Sequence, residues 1–153
     1  MRLLLGIILL LFCMFVGYFL SNKYYFRRVF YSDFLSFNTI LTQEIAFKHT
    51  TIINIIKNQD KNTDFYCLLN KHINGEKVQI DSHYLTIDEK NFTYEYLDKI
   101  GRFDKNTQLE YLKNVNNMIL DKQKDSILDE KKYKTLYIKL SFLIGLILLI
   151  IVL

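Results

Sequence analysis

Two long apolar runs lie at the ends of the chain, and a region of alternating apolar and polar positions separates them. Residues 3–20 include no charged residue. At about 1.5 Å rise per residue, a helix of that length covers about 27 Å of a hydrocarbon layer about 30 Å thick. Residues 136–153 carry one charge, Lys139, whose ammonium can reach the lipid headgroups because it lies one turn from the start of the run. The pattern predicts one transmembrane helix at each end, 3–20 and 136–153.

A cleaved secretory signal peptide is the competing interpretation of the first run. The apolar core of such a peptide is about 7–15 residues long and leads to a small-residue cleavage site. Here the run is followed by Ser21, Asn22 and Lys23. Lipidation at Cys13 is disfavoured because the bulky Phe12 precedes it, where a small side chain is needed. The pattern therefore favours a retained span.

Basic residues flank the two runs on their inner sides. They are Lys23, Arg27 and Arg28 after the first run, and Lys131, Lys132 and Lys134 before the second. Only Arg2 lies outside the first run, and no basic residue follows the second. Because the side richer in lysine and arginine stays in the cytoplasm, the middle of the chain is predicted to be cytoplasmic.

The region between the runs has the apolar spacing of helices. From about residue 26 to 47, an amphipathic helix is predicted to continue the first span. Its apolar positions recur at spacings of one, three and four: Val29, Phe30, Phe34, Phe37, Ile40, Leu41 and Ile45. Residues 52–56 are predicted to form a short helix, although their β-branched side chains also suit a strand. Residues 65–73 form a further helical candidate closed by Asn74 and Gly75, and residues 76–85 are read as a loop or a short extended piece.

Two more helices are predicted in the second half of this region. Thr86 or Asp88 can begin the first of them, and Gly101 would end it because glycine tolerates positive φ. Asp104 would then cap a helix of nearly fifty residues that runs into the second apolar run. No proline interrupts any of these segments. The fold class predicted is all-α: a cytoplasmic helical bundle at 23–134, with tyrosine and phenylalanine in its core, flanked by the two transmembrane helices.

Composition and charge exclude several functions. The net charge of +4 comes from 20 basic and 16 acidic residues, and the excess matches the basic flanks of the spans. Arginine occurs only four times, and acidic residues interrupt the lysines, so no nucleic-acid partner is predicted. Cys13 lies in the first span and Cys67 in the soluble region, where it is predicted to be a small buried side chain. This cysteine usage fits a reducing compartment.

Catalytic and metal-binding patterns are missing from the sequence. None of the three histidines, His49, His72 and His83, has a second histidine or a paired carboxylate at helical spacing in a recognisable metal motif. Gly75 and Gly101 are far apart, so no glycine-rich phosphate loop exists. We therefore predict no enzyme activity, no metal, no cofactor and no small-molecule substrate. If ATP drives the function, a partner must bind it.

Three polar residues are candidates for a partner-binding site. Glu44 lies on or beside the apolar stripe between Leu41 and Ile45, where an uncompensated carboxylate would be costly to bury. It is either a solvated carboxylate at the edge of the stripe, or an interhelical contact or partner site. Asp104 is predicted to accept a backbone hydrogen bond from the first turn of the long helix. Gln108, one turn later, is predicted to bond to the first helix, near Glu44.

Several stretches of the chain resemble the stage III sporulation protein AB family of endospore-forming bacteria. The opening resembles that family's first span and basic exit through Gly17-Tyr18, Asn22-Lys23-Tyr24 and Arg27. Leu41, Glu44 and Ile45 resemble its first cytoplasmic helix. Ile100-Gly101-Arg102-Phe103-Asp104 with Gln108 resembles its Leu-Gly turn, and residues 133–153 with Gly145-Leu146 resemble its final span.

The resemblance implies a function that composition and spacing do not. The family is similar in fold to the cytoplasmic domain of the inner-membrane platform protein of type II secretion machines. It implies a non-enzymatic platform in the mother-cell membrane around the forespore, assembled with other stage III sporulation proteins. A cytosolic hexameric ATPase would be its motor, and a homo-oligomer is compatible with that role. The alternatives are a scaffold of another secretion or pilus assembly, and a two-span sensor with an external domain.

Overall fold

A computed structural model describes residues 2–47 and 63–152 of the chain. These residues form four helices and no strand: α1 at Arg2–Phe47, α2 at Asp64–Ile73, α3 at Ile87–Lys99 and α4 at Lys105–Val152. The all-α prediction is confirmed, including the continuous first helix and the uninterrupted last one. The helix or strand predicted at 52–56 and the residue His49 lie outside the described residues.

The short helices end where the sequence indicates. Gly75 closes α2 as predicted, and it adopts φ +71°, a left-handed conformation that glycine tolerates. Thr86, one of two predicted starts for α3, is the cap: its hydroxyl accepts from Glu89 N at 3.3 Å, and Glu89 Oε2 accepts from Thr86 N at 2.9 Å. This reciprocal capping box satisfies two backbone N–H groups that the first turn of a helix leaves unpaired.

The chain divides into two compact units. We call Met1–Arg28 with Asp125–Leu153 the terminal unit, and Val29–Lys124 the central unit. Helices α1 and α4 contribute residues to both, whereas α2 and α3 belong to the central unit alone. The sequence predicted a soluble domain at 23–134. The two ends of that range, which carry the basic flanks of both predicted spans, belong to the terminal unit.

Aromatic side chains fill the core of the central unit. The Phe34 ring stacks on Phe65 with centroids 4.7 Å apart and meets the edge of Tyr96 at 4.6 Å. Pairs of rings at such distances add about 0.5–1.5 kcal/mol to the free energy gained from burial alone. Around Phe34 the core is formed by Phe30, Tyr31, Phe37, Leu41, Phe65, Tyr66, Leu68, Leu69, Ile80, Leu85, Tyr96, Leu97, Leu112, Val115 and Ile119. The predicted stripe of α1 thus faces this core.

One residue of α2 lies on the opposite side from the one predicted. Cys67 is exposed, and the expectation that it behaves as a small buried side chain is wrong. Successive residues of a helix are about 100° apart, so Phe65, Tyr66, Leu68 and Leu69 together occupy one side. Position 67 falls opposite that arc. The apolar neighbours of Cys67 in sequence are therefore not its neighbours around the helix.

The terminal unit packs two antiparallel helices through small residues. Glycines of each helix lie against residues of the other helix: Gly6 lies beside Leu149, Gly145 beside Leu10 and Gly17 beside Ser141. A Cβ atom added to Gly17 would lie 1.8 Å from Ser141 Oγ, so no larger residue fits without movement. Such close approach through glycine and serine is typical of helix pairs in membranes.

The large apolar side chains of the terminal unit point outwards. Both helices are long and apolar enough to cross a membrane, and only 17% and 6% of their most apolar windows are buried. Phe12, Phe15 and Phe19 on α1 are 63%, 67% and 70% exposed. Water would leave these surfaces unfavourably solvated, whereas lipid chains would cover them. The terminal unit therefore fits a membrane protein.

Candidate functional site at the turn between α3 and α4

Two of the three predicted site residues, Asp104 and Gln108, lie in the turn between α3 and α4 and in the first turn of α4. Gly101 has φ +77°, a backbone conformation in which a side chain would be strained. Its N–H donates to Gln108 Oε1 at 3.1 Å, across the turn and into the first turn of α4. A backbone N–H that leaves a helix needs such an acceptor. The predicted end of α3 at Gly101 is therefore correct, and a side chain of the next helix holds it.

Asp104 caps α4 as predicted. Its Oδ2 atom accepts from Asn106 N at 3.2 Å and from Thr107 N at 3.3 Å. Hydrogen bonds from the side chain and the backbone of Thr107, and from the backbone of Asn106, hold the pKa of the Asp104 carboxyl below its usual value. The positive end of the helix dipole lies at the same place and favours the ionised carboxylate. Asp104 is thus an exposed, ionised group that fixes the start of α4.

Gln108 is more deeply placed than predicted. It is 3% exposed, and its backbone N–H donates to Asp104 O at 2.8 Å. The hydrogen bond of its side-chain oxygen goes to Gly101, not to α1, because the positive φ of Gly101 turns that N–H towards α4. Its Nε2 has no hydrogen-bond partner among residues 2–47 and 63–152. The predicted bond from Gln108 to the first helix near Glu44 is therefore not formed.

Glu44 lies on the last turns of α1, half-buried between buried Leu41 and half-buried Ile45. Lys105, the first residue of α4, donates from Nζ to Ala46 O at 3.4 Å. That contact brings the start of α4 beside the turn of α1 that follows Glu44. The three predicted residues therefore belong to one region of the central unit, although Gln108 does not bond to Glu44.

An exposed aromatic residue adjoins the turn. Phe103 is 40% exposed, and its ring lies 5.7 Å from that of Tyr111. The Lys99 ammonium lies over the Tyr111 ring, 5.7 Å from its centroid. Burial, with a smaller contribution from the charge of Glu95, raises the pKa of Tyr111 to about 12. The region thus presents an exposed aromatic side chain beside charged groups of both signs.

Sequence reasoning missed a buried amide in the central unit. Asn38 is fully buried, and its Nδ2 donates to Asn116 Oδ1 at 3.1 Å and to Leu112 O at 3.2 Å. The Tyr96 hydroxyl donates to Asn38 Oδ1 at 3.0 Å, and burial raises the pKa of Tyr96 well above its usual value. The signal was available, because position 38 lies four residues after Phe34 and three before Leu41 on the apolar stripe.

The groups of the turn fix the backbone between two helices, cap α4 and expose an aromatic ring. Within the described ranges, no group of three histidine, cysteine or acidic residues lies close enough to hold a metal ion. Comparison of the chain with protein-family models, with curated proteins and with solved structures returns no significant match.

Proposed function

We propose that this chain is a non-enzymatic membrane platform of the stage III sporulation complex that connects mother cell and forespore. In this proposal helices 3–20 and 136–153 anchor it in the mother-cell membrane around the forespore. The central unit lies in the cytosol, where it meets a hexameric ATPase and the other proteins of the complex. The sporulation role is carried over from the resemblance of the sequence to the stage III sporulation protein AB family.

The observation that carries the proposal is the outward placement of large apolar side chains in the terminal unit. Small residues, Gly6, Gly17, Ser141 and Gly145, are at the contact between its helices, while the phenylalanines of α1 are exposed. A two-span anchor attached to a helical unit without a recognisable catalytic pattern is the layout of a platform. The same layout supports a scaffold of another secretion or pilus assembly, so the cellular role needs a genetic test.

The proposed orientation depends on the basic residues beside the spans. Arg27 pairs with Asp129 at 2.6 Å, and Arg28 pairs with Glu130. These carboxylates reduce the net charge beside the spans, but acidic residues have little effect on the orientation of a membrane protein. The count of basic residues therefore still favours a cytoplasmic central unit.

Native Cys67 allows the orientation to be measured directly. It is exposed on α2, whereas Cys13 lies in the first apolar run, so Cys13→Ser leaves one reporter thiol. We expect a membrane-impermeant thiol reagent to label Cys67 only after cells are permeabilised. The variant Cys13→Ser/Cys67→Ser is the blank. Labelling in intact cells would overturn the orientation and favour the two-span sensor with an external domain.

The partner site is tested at Glu44. We expect Glu44→Ala to leave the melting temperature nearly unchanged but to reduce co-purification of the ATPase and to block the function of the complex. Gln43→Ala, an exposed neighbour on the same turn, is the matched control. If Glu44→Ala melts far below the parent while its folded fraction still binds the ATPase, the residue is structural. Deletion of the gene should make forespores collapse after engulfment, and normal spores would contradict the sporulation role.

A further inference from the structure

Three tyrosines form a cluster in the terminal unit, next to the apolar runs. Tyr24 of α1 stacks on Tyr133 of α4, with ring centroids 4.8 Å apart and planes inclined by 14°. Tyr137, one turn further along α4, lies 6.1 Å from Tyr24. The cluster therefore joins the two helices at one level. Tyrosine is enriched at such levels in membrane proteins because its ring is apolar and its hydroxyl is polar.

Two lysine ammonium groups lie over the rings of this cluster. Lys23 Nζ is 5.0 Å from the centroid of Tyr24 and 5.9 Å from that of Tyr137. Lys132 Nζ is 5.3 Å from the centroid of Tyr133. In the described part of the chain, neither lysine has a carboxylate within ion-pair distance. The attraction of an aromatic face for a cation holds both ammonium groups without neutralising them.

Two acidic residues close to Lys132 in sequence, Asp129 and Glu130, form ion pairs with arginines. Asp129 binds Arg27 at 2.6 Å, and Glu130 binds Arg28 and lies 4.0 Å from Lys134. These pairs remove two carboxylates as partners for the lysines. The positive charge that remains beside the rings is that of Lys23 and Lys132. We call Lys23, Tyr24, Lys132, Tyr133 and Tyr137 the border cluster.

The border cluster lies at the depth of lipid headgroups. Lys23 follows the first apolar run by three residues, and Lys132 precedes the second by four. At about 1.5 Å per residue, both lie about 5 Å outside the hydrocarbon layer. Leu20 and Leu136, the residues of the two apolar runs that are nearest to these lysines in sequence, are 49% and 47% exposed. A ligand with an anionic head and apolar tails would satisfy both surfaces.

We propose that the border cluster is a binding site for the headgroup of an anionic phospholipid. The positive charges of Lys23 and Lys132 attract the phosphodiester, and the tyrosine rings between them provide polar hydroxyls for the rest of the headgroup. Basic pockets between membrane helices recognise anionic lipids in this way. A free phosphate ion would use the lysines but not the exposed apolar surface beside them, so the continuity of the two surfaces favours a lipid. The inference requires the terminal unit to lie in a membrane, and does not depend on the sporulation role.

The test uses the full-length protein in a neutral detergent, titrated with phosphatidylglycerol and followed by native mass spectrometry. Phosphatidylcholine, which has no net charge, is the comparison lipid. In micelles the diffuse potential of a charged membrane is absent, so retained lipid reports headgroup contacts. We expect a retained phosphatidylglycerol and an affinity that falls about 25-fold in Lys23→Gln/Lys132→Gln, since each lysine contributes about fivefold.

The matched control removes two other lysines, Lys131 of the same flank and Lys139 in the first turn of the second apolar run. Lys131→Gln/Lys139→Gln deletes the same charge, but neither of these lysines lies over a described ring. Its affinity should stay close to that of the parent. Equal losses in both double variants would mean that total charge, and not the border cluster, determines lipid binding and would overturn the site. Lys132→Gln and Lys131→Gln, both at exposed positions, repeat the comparison without altering half-buried Lys23.

Two further measurements separate the remaining explanations. Circular dichroism shows whether each variant keeps its helices, and Lys23→Arg/Lys132→Arg should keep both its helices and its lipid. Inorganic phosphate at the same concentration should not displace the lipid. Equal retention of phosphatidylcholine, or displacement by phosphate, would contradict an anionic-lipid site.

Discussion

The terminal and central units place their large side chains in opposite ways. In the central unit, Phe34, Tyr66 and Tyr96 are fully buried. In the terminal unit the residues in contact are small, such as Gly17 and Ser141, while bulky ones face outwards. Both units are helical and both are rich in apolar residues. The difference shows that apolar content alone does not say which side chains form an interior.

The two arrangements follow from two solvents. In water, burying apolar area is the dominant favourable term, so the largest side chains are the ones that a fold encloses. In lipid, apolar area gains little by leaving the solvent, and helices associate where small residues let their backbones approach. The central unit has the first arrangement and the terminal unit the second.

The largest effect is expected from a charge in the core of the central unit. Leu112 is fully buried on α4, and Leu112→Asp places there a carboxylate without a basic partner. A buried charge without a partner costs about 3–5 kcal/mol, which can exceed the margin of a small unit. We expect loss of cooperative unfolding, measured by circular dichroism during thermal denaturation.

Met118→Asp is the matched control for that variant. Met118 lies on the same helix and is 52% exposed, so its replacement should change the free energy of unfolding by about 0.5 kcal/mol or less. Equal damage from both substitutions would mean that the aromatic core does not distinguish the two faces of α4. That result would contradict the aromatic core described for the central unit.

The next effect concerns the glycine contact of the terminal unit. Gly17→Leu should destabilise the helix pair by about 1–3 kcal/mol, because its Cβ alone would meet Ser141 Oγ. Val16→Leu, at an outward position that is 39% exposed, should be nearly neutral. Unfolding in mixed micelles of increasing denaturing-detergent content measures both.

An exchange of small residues sharpens this prediction. Ser141→Gly removes the side chain that a residue at position 17 would meet first, so Gly17→Ala/Ser141→Gly should recover part of the stability lost by Gly17→Ala alone. If the double variant is no more stable than the single one, the Gly17 and Ser141 contact does not determine how these helices approach.

A smaller effect is expected from the buried amide network. Tyr96→Phe removes the hydroxyl that donates to Asn38 and should lower the free energy of unfolding by about 0.5–1.5 kcal/mol. Asn38→Ala should cost more in the parent than in the Tyr96→Phe background, because the hydroxyl no longer needs an acceptor there. Chemical denaturation of the four proteins of this cycle measures the coupling. If the effects of the two substitutions on the free energy of unfolding are strictly additive, that result would contradict a direct hydrogen bond between Tyr96 and Asn38.

The smallest effect belongs to the helix cap. Asp104→Ala should lower the melting temperature modestly, and Asp104→Asn less, because asparagine also caps helices. The pKa of Asp104 is lower in the folded protein than its usual value. Its contribution to stability is therefore present above the unfolded pKa, about 3.9, and is lost as the pH falls through the folded pKa. Asp104→Asn should flatten the acid side of the stability curve, and an unchanged acid side would exclude this cap as its cause.

Local patterns predicted most of the helical structure. Thr86, Gly101 and Asp104 lie at helix ends for reasons of backbone chemistry that involve only nearby residues, and the structure confirms each position. The exposure of Cys67 was not predicted, because the apolar residues on both sides of it in sequence concealed its angular position on α2. The angular position of a residue can be predicted only from all the residues around that part of the helix. A helix end can be predicted from a few neighbouring residues.

Contacts between distant residues were harder to predict. The partners of Gln108 and Asn38 depend on how helices approach, and a single sequence does not state that geometry. Gln108 satisfies Gly101 instead of α1, and Asn38 joins α1 to Leu112 and Asn116 of α4. An amide at a position within an apolar stripe is a usable signal for such a network. The roles of Glu44, Asp104 and Gln108 in partner binding stay predictions.

The outward face of the terminal unit is the central claim, and electron paramagnetic resonance tests it most directly. A nitroxide label is attached to the full chain at Phe12→Cys, with Cys13 and Cys67 replaced by serine, and the protein is reconstituted in liposomes. Phe12 is 63% exposed in the middle of the first apolar run. We expect power saturation to respond strongly to oxygen, which dissolves in lipid, and weakly to a water-soluble nickel chelate. A strong response to the chelate and a weak one to oxygen would place this face in water and contradict the membrane span.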